Sequence, residues 1–115
     1  LAGIRPGKAW ERVNWGLSGS PCLNQHPALR IPAMELPLEL NSVWVRREDQ
    51  VLFRLPETGA LIFGINVINV SVAEIAADPE GRSVLRQALA TMPEDIAGYK
   101  NLTAARESLV ALLTP

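Results

Sequence analysis

Residues Ser42 to Val70 read SVWVRREDQVLFRLPETGALIFGINVINV, and this stretch decides the fold. It holds three apolar, β-rich runs, Val43–Val45, Val51–Leu55 and Ala60–Val70, separated by two short polar breaks, Arg46–Gln50 and Pro56–Gly59. Val, Ile, Phe and Trp suit a pleated, half-buried surface. Breaks this short join neighbouring antiparallel strands, so the expectation is a three-strand meander. The last strand is apolar on both faces, with Leu61, Phe63, Ile65 and Val67 on one and Ala60, Ile62 and Ile68 on the other. That pattern predicts a central strand covered on both sides. Gly64 in its middle predicts a bulge or a close approach by a ligand or another backbone.

Upstream, Ala9–Leu17 alternates with period two, placing Val13, Trp15 and Leu17 on one face and Arg12, Asn14 and Gly16 on the other. This predicts a half-buried strand. Trp10 falls on its polar face and is expected to cover an edge or meet a partner. Ser18–Asn41 carries Pro21, Pro27, Pro32 and Pro37, which central strands do not tolerate, and reads as a long covering loop, a lid or an arm.

Downstream the period changes to that of helices. Ser71-Val-Ala-Glu74 has the capping-box spacing and opens a short helix to about Ala77. Asp78-Pro79 is an N-cap followed by proline at the first helical position. The helix it starts runs to about Met92, with Val84, Leu85, Ala88, Leu89 and Met92 as its apolar stripe. Pro93–Tyr99 predicts a single short turn of helix. A last helix, capped by Asn101 or Thr103, lines up Leu102, Ala105, Leu109, Leu112 and Leu113. Strands first and helices last predict an α+β fold.

The totals bound the function. At 115 residues the chain is a single domain, or the C-terminal part of a larger one, and its lack of an initial methionine at Leu1 leads to the expectation of an upstream continuation. Net charge is −1 with 20% charged residues, which gives no basic patch for nucleic acid or an anionic membrane. No apolar run is long enough to span a bilayer. A lone cysteine, Cys22, and no signal-peptide pattern predict a reducing, cytoplasmic setting.

Few residues advertise chemistry. His26 is the single histidine and the one candidate metal or haem (heme) ligand, although a solvated or backbone-bonded imidazole is commoner in a proline-rich loop. With Cys22 alone beside it, it does not complete a zinc set. Gly16-Leu-Ser-Gly-Ser20 lacks the last glycine of a nucleophile elbow, and no glycine-rich phosphate loop is present. Arg46-Arg-Glu-Asp-Gln50 reads first as a solvated turn. Its sharper reading holds Arg46 and Glu48 at the sheet edge, the carboxylate for an ammonium and the guanidinium for a propionate or phosphate.

At this point the chain resembles the haem-dependent oxidative N-demethylase family, whose catalytic domain has a PAS-like fold. The resemblance is carried by Trp44-Val45, Arg46-Arg47-Glu48-Asp49-Gln50, Leu52-Phe53-Arg54-Leu55-Pro56 and Thr58-Gly59-Ala60-Leu61-Ile62-Phe63. Arg5-Pro6, the tryptophan-bracketed Trp10–Leu17 and Tyr99-Lys100 extend it over nearly the whole chain. One departure stands out: the family's Ile-Arg-Thr-Tyr is here Ile65-Asn66-Val67-Ile68, without the arginine and tyrosine. The resemblance implies a PAS-like antiparallel meander and an oxidoreductase of the monooxygenase type. It implies haem as cofactor, with a ligand outside this chain, and a small secondary amine losing its methyl group as formaldehyde. The electrons would come from a reductase subunit with flavin and an iron–sulfur cluster, and another chain or upstream segment would complete the domain. Arg46 and Glu48 are then expected at the pocket rim, with Phe63 and Ile65 on its floor. The missing arginine and tyrosine favour the alternative, a non-catalytic PAS-like module for ligand sensing or subunit interaction.

Overall fold

The computed structural model describes residues 3–31 and 34–115; Leu1 and Pro32, which enter the reading above, lie outside them. Three strands come first, β1 (Ala9–Ser18), β2 (Trp44–Arg54) and β3 (Leu61–Ser71). Four helices follow, α1 (Val72–Ala77), α2 (Pro79–Ala90), α3 (Glu94–Tyr99) and α4 (Thr103–Leu113). The strands form one antiparallel sheet in the order β1-β2-β3, so the expected α+β class holds. Short 3-10 turns at Pro27–Leu29 and Leu40–Ser42 punctuate the long connection between β1 and β2.

Two expectations for the meander need correcting. Arg46–Gln50 is no hairpin break: β2 runs through it unbroken, because its polar residues alternate and find partners on both faces. The third strand of the sheet is therefore β1. β3 is an edge strand rather than a central one, and Ile62, Phe63, Ile65 and Ile68 on it are exposed. On β1, Val13 is 58% exposed where the period-two pattern predicts burial.

The chain forms two compact units. The first comprises the residues up to Trp15 with Arg47–Ile68, and the second Gly16–Arg46 with Asn69–Pro115. In the first, Arg54 is its tie: Nε donates to the Ile4 carbonyl at 2.9 Å and Nη1 to that of Gly59 at 2.5 Å. The second holds the larger core, built from Val43, Val72, Leu85, Leu89, Leu102, Leu109 and Leu113. Its helices pack on one another, α2 against α4 and α1, and α3 against α4. Spacings of three and four put Leu102, Ala105, Leu109 and Leu113 on one buried stripe. Val84 and Leu112, expected on the stripes, are exposed instead.

The caps follow the sequence in part. Ser71 Oγ accepts from the Ala73 N–H at 3.2 Å, and Asp78 Oδ2 from the Gly81 N–H at 3.2 Å. The last helix has neither expected cap: Leu102 stands at its N-cap, and Asn101 makes the turn before it in the left-handed region, at φ 57°. Among the described residues, no helix is long and apolar enough to cross a membrane.

Candidate functional site

Side-chain bonds fix the register of the first unit's strands. Arg12 Nε donates to Gln50 Oε1, and Asn14 Nδ2 donates to Glu48 Oε1 at 3.3 Å. One number rises by two as the other falls by two, as on one face of an antiparallel pair. At the β2–β3 hairpin the Leu55 N–H donates to the Ala60 carbonyl at 2.8 Å. That register sets Gly64 against Val51, whose Cγ1 lies 3.0 Å from where a Cβ on Gly64 would stand. The two registers together lay three rows across one face: Trp10–Leu52–Phe63, then Arg12–Gln50–Ile65, then Asn14–Glu48–Val67.

The rows differ in chemistry. The first is apolar, and its outer members stand out of the sheet, Trp10 at 59% and Phe63 at 51% exposure. The second and third share a chain of hydrogen bonds. Gln50 is only 7% exposed; its oxygen accepts from Arg12, and its Nε2 donates to Glu48 Oε1 at 3.1 Å. An amide has one accepting and one donating end, so this glutamine is oriented by the cation on one side and the carboxylate on the other. Trp10, Arg12, Gln50, Leu52 and Phe63 line a groove of about 340 Å³. On the opposite face Arg47 Nε donates to Asp49 Oδ1 at 2.8 Å.

Of the residues singled out in the sequence, Glu48, Phe63 and Ile65 are thus brought to one face of one unit. Arg46 belongs to the second unit. Its Nη1 donates to the Cys22 carbonyl at 3.1 Å and its Nη2 to that of Leu23 at 2.8 Å. Asn69 Nδ2 donates to the Pro21 carbonyl at 2.8 Å, so the same loop is held from two strands. His26 caps the 3-10 turn, its Nδ1 accepting from the Ala28 N–H at 3.1 Å. A neutral imidazole that accepts at Nδ1 carries its proton on Nε2, and neither nitrogen then offers a lone pair to a metal. Among the described residues no group of three or more His, Cys, Asp and Glu is placed to hold a metal ion.

Arg12, Asn14 and Gln50 were not singled out, because a period-two reading assigns polar strand residues to solvent. The signal was present: polar residues at period two on β1 are matched by Glu48 and Gln50 at period two on β2, and two such stripes pair across strands.

The motifs from Trp10 to Phe63 on and between the strands, and Tyr99 at the end of α3, are accompanied by a match on the scale of the whole chain. The family model described as haem-dependent oxidative N-demethylase, alpha subunit-like, covers residues 1–110. The chain therefore belongs to the haem-dependent oxidative N-demethylase, alpha subunit-like, family.

Proposed function

We propose that this chain forms part of an oxidative N-demethylase of the monooxygenase type, acting on a small secondary amine in the cytoplasm. The methyl carbon leaves as formaldehyde: R–NH–CH3, O2, two electrons and two protons give R–NH2, HCHO and H2O. The electrons come from a reductase subunit carrying flavin and an iron–sulfur cluster, a partner that fits the alpha-subunit description of the family. The observation that carries the reading is the exposed face on which Glu48, Phe63 and Ile65 stand together. Glu48 has one oxygen engaged by Asn14 and Gln50 and offers the other to an ammonium. Phe63 and Ile65 supply apolar floor. Arg46, also expected at the rim, takes a structural part in this proposal, since its guanidinium holds the Cys22–Leu23 loop.

Haem supplies oxygen activation in such a reaction. The described residues of the open face fit an apolar wall for a flat group, and they do not fit its iron, because the first unit's described residues include no histidine, cysteine or tyrosine. The residue that would hold the iron comes, in this proposal, from another chain or segment that completes the domain. That mismatch also favours the second reading, a non-catalytic PAS-like sensing or subunit-interaction module. An absorbance spectrum of the full-length subunit after addition of hemin separates them. A Soret band is expected; a spectrum of free hemin alone removes the enzyme and leaves the module.

A further inference from the structure

Building on that amine-site reading, we infer that the ligand recognised by this face is an N-methylated amino acid with an apolar side chain, its carboxylate bound by Arg12. Three observations converge. Arg12 commits only its Nε, to Gln50, and its two terminal NH2 groups hydrogen-bond to no described residue. A guanidinium fixed at Nε presents those groups as a planar fork, the geometry that takes a carboxylate bidentately. Glu48 sits one row along the same face, and rows two residues apart are separated by about 7 Å. The long side chains of Arg12 and Glu48 thus offer a cation and an anion that a short zwitterion can bridge. Gln50 between them is buried and has both ends of its amide spent, so it separates the two charges without competing for the ligand. On the other side of Arg12, Trp10, Leu52 and Phe63 form the apolar row, and the groove they line with Arg12 and Gln50 holds about 340 Å³. A side chain carried on the same carbon as the carboxylate falls on that row. An amine lacking the carboxylate would leave the Arg12 fork without a use.

The test is equilibrium binding to the full-length subunit, followed by calorimetry and by Trp fluorescence, with N-methylleucine and N-methylisoamylamine. The second is the first without its carboxylate. N-methylleucine is expected to bind at least tenfold more tightly. In Arg12→Gln that ratio falls to near one, and in Arg12→Lys, which keeps the charge and loses the fork, it lies between. The comparison on the unsubstituted protein stands even if a variant does not fold. Equal affinities, or a preference that survives Arg12→Gln, overturn the assignment of Arg12 while leaving an amine site at Glu48. If neither compound binds, the amine site itself is refuted, and this inference with it.

Discussion

Glu48 and Arg46 lie two residues apart on β2 and do different work. Arg46 ties down carbonyl groups in its own unit, whereas Glu48 keeps one carboxylate oxygen in reserve. Glu48→Gln is isosteric and retains an acceptor for Asn14. It is expected to weaken amine binding about tenfold or more, the scale of one charge-assisted hydrogen bond, with the melting temperature nearly unchanged. A large fall in melting temperature would instead make Glu48 a part of the scaffold. Gln50 carries the opposite expectation. Gln50→Ala removes a buried amide that joins Arg12 to Glu48, so urea denaturation should show a loss of about 1–3 kcal/mol. Arg46→Ala should cost a similar amount by releasing the loop carbonyls of Cys22 and Leu23, and a Kd for amine close to that of the unsubstituted protein would separate its role from that of Glu48.

Among the elements, the α1–α2 junction turns on one glycine. A Cβ at Gly81 would stand 2.9 Å from the Ile75 carbonyl oxygen, closer than such atoms approach, and backbone cannot give way cheaply. Gly81→Ala is therefore expected to destabilise by about 1–3 kcal/mol. Gly98 in α3 has open space around it, and Gly98→Ala should stabilise by about 0.5–1 kcal/mol through helix propensity. Equal shifts in the two thermal melts would contradict this account. The helices were the most legible part of the chain, since Asp78-Pro79 and the spacing of Leu102, Ala105, Leu109 and Leu113 are local signals for local structure. The strands were legible as strands but not in their order. Arg46–Gln50 reads as a turn when polarity is equated with solvent exposure, but side chains from β1 donate hydrogen bonds to Glu48 and Gln50 in mid-strand. Glu48 stands in a polar run that the sequence shows directly, whereas its link to Arg12 through Gln50 crosses strands and is a non-local fact.

At the scale of the molecule, the two units differ in what holds them. Among the described residues the second buries ten leucine, valine and alanine side chains, from its four helices, Leu102 before α4 and the segment leading into β2, while the first owes its order to strand pairing and to the Arg54 and Gln50 hydrogen bonds. Hydrogen exchange should resolve this. Amides of Leu89 and Leu109 are expected to exchange with the slowest, global opening, and those of Phe63 and Ile65 at least tenfold faster. Uniform protection across β3 and α4 would show that a single cooperative core spans both. The alpha subunit-like description of the family fits a chain that works within a multi-subunit complex.

β3 from Leu61 to Ser71 contains no charged residue and no proline, and it lies at the rim of the sheet. Proteins ordinarily post a lysine or a proline at such a place as a gatekeeper. Left without one, the Ile62–Ile68 segment has the makings of a steric zipper, and concentrated stocks of this chain stored alone should grow thioflavin-positive fibrils after a lag that Ile65→Lys lengthens.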